Sequence, residues 1–174
     1  MDSVRQAFLQ AQHEAVLALA ESSEILDLTP LAGSPPDRYI ADFRCRSIAR
    51  EGESVVLVER VLVGIHMPEN YLHVFEPERV ITVLTPLNLW HPNIRGSLLC
   101  PGTMPRGTPL VHLLFQIFEV VVGHRVTLDE RYALNPVVCA WARQNRHMYP
   151  IDWRPLRRRS PAAVAAPLAQ EVAL

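Results

Sequence analysis

Leu89-Trp90-His91-Pro92-Asn93-Ile94-Arg95-Gly96-Ser97-Leu98-Leu99-Cys100-Pro101-Gly102 joins two halves of unlike character. A β-like run ends at His91-Pro92, a short turn follows, and a cysteine emerges seven residues after Asn93. Just upstream of this stretch the apolar side chains alternate or form β-branched runs. Downstream they recur at helical spacing.

From Asp37 to Ile48, Tyr39, Ala41, Phe43 and Cys45 alternate with Ile40, Asp42, Arg44 and Arg46, a period of two that predicts a half-buried strand with Cys45 inward. Arg50-Glu51-Gly52-Glu53-Ser54 reads as a hairpin turn, and the Val/Leu/Ile run from Val55 to Ile65 as a further strand. Met67-Pro68-Glu69-Asn70 breaks that run, and Val80 to Leu84 supplies another short strand. Hairpin-length connections predict an antiparallel meander. At the start of the chain, Val4, Phe8, Ala11, Ala15 and Leu19 recur near helical spacing after Ser3, a candidate cap, which predicts a helix over residues 3–21. Gly33-Ser34-Pro35-Pro36 follows as a breaker.

On the other side of Cys100, Leu110, Leu113, Leu114, Ile117, Phe118 and Val121 predict a largely buried helix from Pro109 to Val122, stopped by Gly123. Asn135-Pro136 is a cap and first-turn pair opening a last helix to about Met148, with Tyr149-Pro150 ending it. Residues 154–174, with Arg157-Arg158-Arg159 and then an Ala/Pro-rich run, differ in composition and read as a tail behind a domain of residues 1–153.

A chain of 174 residues suits one domain with a sizeable core. A net charge of −1 argues against nucleic acid as a partner. No apolar run is long enough to cross a bilayer, and no basic-then-apolar leader opens the chain, so a cytoplasmic protein without a membrane partner is expected. Three cysteines, Cys45, Cys100 and Cys139, form no CxxC pair and give no zinc spacing, so neither a disulfide framework nor a metal site is expected. All 17 basic residues other than histidine are arginine. A GC-rich genome accounts for that, and so does avoidance of self-modification by an enzyme that acylates lysine; the two readings are compatible.

His91-Pro92-Asn93 followed by Gly96 and Leu99-Cys100 resembles the active-site segment of the ubiquitin-conjugating enzymes, where His-Pro-Asn precedes a Gly-x-(Ile/Leu)-Cys nucleophile. The likeness runs from about residue 3 to about residue 150 and is strongest from Leu84 onward. Val74-Phe75-Glu76-Pro77-Glu78-Arg79-Val80 resembles the family's Tyr-Pro-Phe-Lys-Pro-Pro-Lys-Val loop. Thr108-Pro109-Leu110 resembles its Trp-Ser-Pro segment, and Ala133-Leu134-Asn135-Pro136 its Pro-Leu-Asn-Pro. The resemblance implies an α+β fold of the ubiquitin-conjugating type: an N-terminal helix, an antiparallel meander of about four strands, an active-site loop, then central and C-terminal helices. Four departures stand out. Gly96 to Cys100 is four residues instead of three, Pro101-Gly102 replaces Leu-Asp, and Gly107-Thr108 lacks the tryptophan. Arg131-Tyr132 stands where an acidic gate residue is usual, with Asp129 and Glu130 close by. These make the chain similar to divergent bacterial conjugating enzymes encoded beside ubiquitin-like proteins, some of which act in defence against phage. A separate chain without an activating domain fits that type.

By this resemblance Cys100 is the nucleophile. It takes the C-terminal acyl group of a ubiquitin-like protein from an activating enzyme and passes it to an amine on a target protein, with no cofactor. Sulfur suits both steps, because a thiolate is a strong nucleophile and a good leaving group. Asn93 is the candidate oxyanion donor and also a candidate brace of the loop. His91 and Pro92 are expected to shape the turn, and Tyr132 the path to the thioester. Phe75 and Pro109 mark the loops that meet activating enzymes and ligases in the family; whether a ligase takes part here is left open. Cys139 reads as packing. Two other readings compete: a catalytically inactive scaffold of the same fold, and a thiol hydrolase pairing Cys100 with His112 or His124. The first is opposed by the presence of Cys100, the second by the absence of any hydrolase signature around it.

Overall fold

A computed structural model describes residues 3–158. The order is α1 (Ser3–Glu21), β1 (Leu26–Pro30), β2 (Arg38–Phe43), β3 (Ser47–Glu51), β4 (Ser54–Val58) and β5 (Val61–His66). There follow α2 (Pro77–Val80), β6 (Ile81–Thr85), β7 (Ile94–Arg95), β8 (Leu98–Leu99), α3 (Leu110–Val121) and α4 (Pro136–Gln144), with a 3-10 turn at Arg146–Met148. The fold is α+β, with a four-stranded antiparallel sheet in the order β1-β2-β5-β6. Of the expected tail, residues 159–174 lie outside the described residues.

The sheet is not a plain meander. The expected strand from Asp37 to Ile48 is two strands, and so is the run from Val55 to Ile65. Inward alternation does persist through Tyr39, Ala41, Phe43 and Cys45, all buried. Past Phe43, however, the chain leaves the sheet: the Arg44 N–H still follows the β1–β2 register to the Ile25 carbonyl (2.8 Å), but the Arg46 N–H goes to the Asp152 carboxylate (2.8 Å). The chain then turns out into the β3–β4 hairpin, closed at Gly52 with φ +61°, and returns at Arg60 to pair β5 with β2. Burial pushes the Cys45 thiol up to about 12, with the Asp152 carboxylate adding to it.

α1 occupies the expected residues but is rotated from the expected stripe. Val4 is 64% exposed, Ala11 and Ala15 are exposed, and the buried line is Leu9, Val16 and Leu19 with Phe8 at its edge. An alanine methyl removes little area from water, so the larger Leu9 and Val16 set the rotation. Gln12 falls on the same line, and its Oε1 accepts the Leu110 N–H at 2.8 Å, supplying a partner for the open first turn of α3.

α3 is buried nearly all round, and its Phe118 ring stacks on Phe43 of the sheet with centroids 6.1 Å apart. The helix ends where Gly123 takes φ +77°. A Cβ there would run into the Tyr149 ring, reaching 3.0 Å from Cε1 and closer still to Cδ1. Gly123→Ala is therefore expected to cost about 2 kcal/mol in chemical denaturation, combining left-handed strain with overpacking. An unchanged midpoint would show that Tyr149 moves aside freely. No helix among the described residues is long and apolar enough to cross a membrane.

Candidate active site

Backbone hydrogen bonds carry residues 88–90 along the free edge of β3, Arg50 N–H to the Asn88 carbonyl (2.9 Å) and Trp90 N–H to that of Ile48 (2.8 Å). The chain then enters a turn built on His91, whose Nδ1 accepts the Asn93 N–H (3.0 Å) while its carbonyl accepts that of Ile94 (3.0 Å). The proton of the neutral ring is thereby assigned to Nε2. Burial pulls the His91 pKa down to about 3, opposed in part by the Arg125 carbonyl. The ring is thus neutral at physiological pH; its Nδ1 serves the turn, while the buried Nε2 has no hydrogen-bond partner among the described residues. Pro92 is buried, and its carbonyl accepts the Asn135 N–H (2.9 Å), tying the turn to the start of α4. Asn135 stands at the cap position but makes no side-chain cap; its amide faces the Ile94 carbonyl instead, at 3.5 Å.

Asn93 is 4% exposed and fully engaged. Its Oδ1 accepts the Thr127 N–H (2.9 Å), and its Nδ2 donates to Thr127 Oγ1 (2.9 Å) and, more loosely, to the Cys100 carbonyl (3.4 Å). Its backbone carbonyl accepts the Cys100 N–H at 2.9 Å. Between the two residues β7 and β8 form a small hairpin, Ile94 opposite Leu99 and Arg95 opposite Leu98, with Gly96 at φ +59° in the turn. The hairpin hangs on the sheet through the Val83 N–H, which donates to the Ser97 carbonyl at 2.8 Å.

Cys100 is half-buried and free, and no hydrogen bond reaches its sulfur among the described residues. It lines a cavity of about 350 Å³ with Pro77, Glu78, Leu98, Leu99 and Leu134. The segment after it is held by Arg125, whose Nη1 donates to the Pro101 carbonyl (2.6 Å) and whose Nη2 pairs with Glu119 (3.2 Å). Cys139 is buried in α4, donates to the Thr127 carbonyl (3.1 Å), and has its pKa raised by burial. It supports the residue that holds Asn93.

No family model matches this chain. No curated protein matches it either.

The remaining candidates are spread more widely. Tyr132 is 74% exposed under the Arg131 guanidinium (5.5 Å) and does not line the Cys100 cavity; of its loop only Leu134 does. Asp129 pairs with Arg131 (2.7 Å), which lowers its pKa through their hydrogen bond, and Glu130 pairs with Arg143. His112 and His124 are exposed and line no part of that cavity. Phe75 is half-buried, edge-on to Tyr71 with centroids 6.0 Å apart. Tyr71 Oη in turn donates to the Thr108 carbonyl (2.7 Å) beside the exposed Pro109. Tyr71 also meets Phe8 of α1 (6.0 Å), so α1 and both loops share one end of the molecule. Sequence reasoning missed Thr127 and Arg125, which lie in a loop without periodicity and without a motif.

Proposed function

We propose that this chain is a ubiquitin-conjugating-type acyltransferase. The carrying observation is the double tie between Asn93 and Cys100, backbone at 2.9 Å and side chain at 3.4 Å, which holds a residue with a free thiol, half-buried, in the lining of an apolar cavity. In this reading the Cys100 sulfur attacks the C-terminal carbonyl of a ubiquitin-like protein carried as a thioester on an activating enzyme. A new C–S bond forms, and the donor thiolate leaves. An amine of a target protein then attacks the Cys100 thioester, the C–N bond forms, and the Cys100 thiolate leaves. The Thr127 bonds keep the Asn93 amide plane in place, and its loosely used N–H is released from the Cys100 carbonyl to the oxyanion that this second step brings beside it. The order of helix, antiparallel sheet, cysteine loop and helices agrees with the family expectation. The end formed by Phe8, Phe75 and Pro109 is the surface offered to the activating enzyme.

The test is a loading reaction with an activating enzyme, ATP and the ubiquitin-like protein encoded with it. Wild type is expected to give an adduct that thiols cleave, Cys100→Ser a thiol-resistant ester, and Cys100→Ala nothing. If a demonstrably charged activating enzyme transfers nothing to wild type, the reading falls and an inactive scaffold takes its place.

A further inference from the structure

Another cavity, of about 580 Å³, shares no residue with the one at Cys100 and is lined by Arg44, Arg46, Glu59, Arg60 and Arg154. Four guanidinium groups thus meet one carboxylate. They come from three places in the chain: the corner between β2 and β3, the turn between β4 and β5, and the segment after α4. Three of them are held by carboxylates that do not line the cavity. Arg60 grips Asp42 with Nε (2.9 Å) and Nη2 (2.8 Å), and Arg154 grips Asp152 with the same two nitrogens (3.1 and 2.7 Å). Arg44 pairs with Asp27 at 3.1 Å. A guanidinium has five N–H donors. The Nη1 groups of Arg60 and Arg154 therefore keep theirs, in a fixed orientation and with no acceptor among the described residues. Arg46 makes no ion pair or side-chain hydrogen bond there at all; only its backbone N–H is used, on Asp152 (2.8 Å).

Like charges gathered in one cleft repel each other and focus a positive field into it. Three of these arginines have a role in the fold, each with its own aspartate. Arg46 has none. A carboxylate ligand, with one charge and two oxygens, would occupy a single guanidinium fork. A phosphate monoester carries a charge of about −2 at neutral pH and three acceptor oxygens, enough for several forks. Independently of the conjugating reading, we propose that this cavity is a binding site for a phosphate monoester group. Arg46 supplies the uncommitted fork, Nη1 of Arg60 and Nη1 of Arg154 supply oriented donors, and Glu59 opposes the anion. Occupation ties the three chain segments together, so the ligand stabilises the fold.

The experiment follows the melting temperature of the full chain with inorganic phosphate. In parallel it follows the fluorescence anisotropy of a labelled phosphoserine peptide and its unphosphorylated twin. Ionic strength is held constant with chloride. The variants are Arg46→Gln, Glu59→Gln and, as an arginine outside the cavity, Arg106→Gln. Each changes an exposed side chain that has no ion pair or hydrogen bond among the described residues, so melting without ligand stays at the wild-type value. Expected is a saturable rise in melting temperature with phosphate. Apparent affinity should fall about tenfold in Arg46→Gln, rise about threefold in Glu59→Gln and stay unchanged in Arg106→Gln. A phosphopeptide that binds more tightly than phosphate, with a silent twin, supports a phosphate carried on a protein. Equal affinity for the two supports a small phosphorylated ligand. A response to phosphate no greater than to chloride overturns the proposal, and so does equal binding of the peptide and its twin. An affinity unmoved in Arg46→Gln, or lost equally in Arg106→Gln, overturns it as well.

Discussion

Asn93→Ala is expected to load at Cys100 like wild type and to discharge to amines about 100-fold more slowly, the size of effect of removing one oxyanion donor, about 3 kcal/mol. The expectation comes from the inequality of the three side-chain bonds. Two are short and shared with Thr127, at 2.9 Å each, and the third reaches the Cys100 carbonyl only at 3.4 Å. The Thr127 pair anchors the amide, and the long bond is the one that a developing oxyanion beside Cys100 can take over. Loading has a different geometry, because there the attacking atom is the Cys100 sulfur itself. Single-turnover discharge of the charged variant measures the effect, with thermal unfolding measured in parallel. Thr127→Ser keeps the hydroxyl acceptor and is expected to match wild type, whereas Thr127→Val loses it and is expected to fall between wild type and Asn93→Ala. If Asn93→Ala loses loading and discharge to the same degree together with its melting temperature, Asn93 is a brace and nothing more.

Asp152→Ala is expected to destabilise the fold by about 3 kcal/mol, the usual cost of removing one partner of a buried charged network. Asp152 is fully buried and accepts the Arg46 N–H (2.8 Å), the Arg154 N–H (3.0 Å) and the Arg154 guanidinium (2.7 Å). Arg154 continues to the Arg44 carbonyl (3.0 Å), so this one carboxylate fastens the segment after α4 to the corner between β2 and β3. Burial alone would raise its pKa; the Arg154 and Arg46 donors outweigh that and hold it at about 2. A pKa below the unfolded value near 3.9 means stability that is fully present above that value. That stability is lost as pH falls through 2 and amounts to about 3 kcal/mol. Urea unfolding from pH 7 down to pH 2 checks both points. The gap between wild type and Asp152→Asn, which keeps the shape without the charge, should be widest above pH 5 and close by pH 2. A gap independent of pH would remove the carboxylate from the account.

Much of the fold was legible because short-range patterns carry it. The period of two through Tyr39, Ala41, Phe43 and Cys45, the stop at Gly123 and the extents of α1 and α3 all follow from residues within a few positions of one another. What escaped has weak local signals. β1, Leu-Asp-Leu-Thr-Pro, is an edge strand with only Leu26 buried and a terminal proline, and β7 and β8 are two residues each. α2 is a single turn. The hidden breaks at Arg44–Arg46 and Glu59–Arg60 were illegible for a different reason: their β-branched or alternating sequence continues, and only the partners of the backbone change.

The candidate site divides in the same way. Cys100, Asn93, His91 and Pro92 stand within ten residues, and the turn that joins them is local chemistry: a proline, a histidine that takes the N–H two residues on, and a glycine in the hairpin. Thr127, Arg125, Glu78 and Asp152 enter only through the tertiary structure. Thr127 lies 34 residues from Asn93, Arg125 lies 24 from Pro101, and Asp152 lies 106 from Arg46. Backbone preference and hydrophobic period act over a turn or two of chain, and they settle the elements and the cysteine-bearing turn before any packing occurs. Which carbonyl, amide or carboxylate each buried polar group finds depends on which surfaces collapse together and exclude water, and that choice belongs to the assembled molecule.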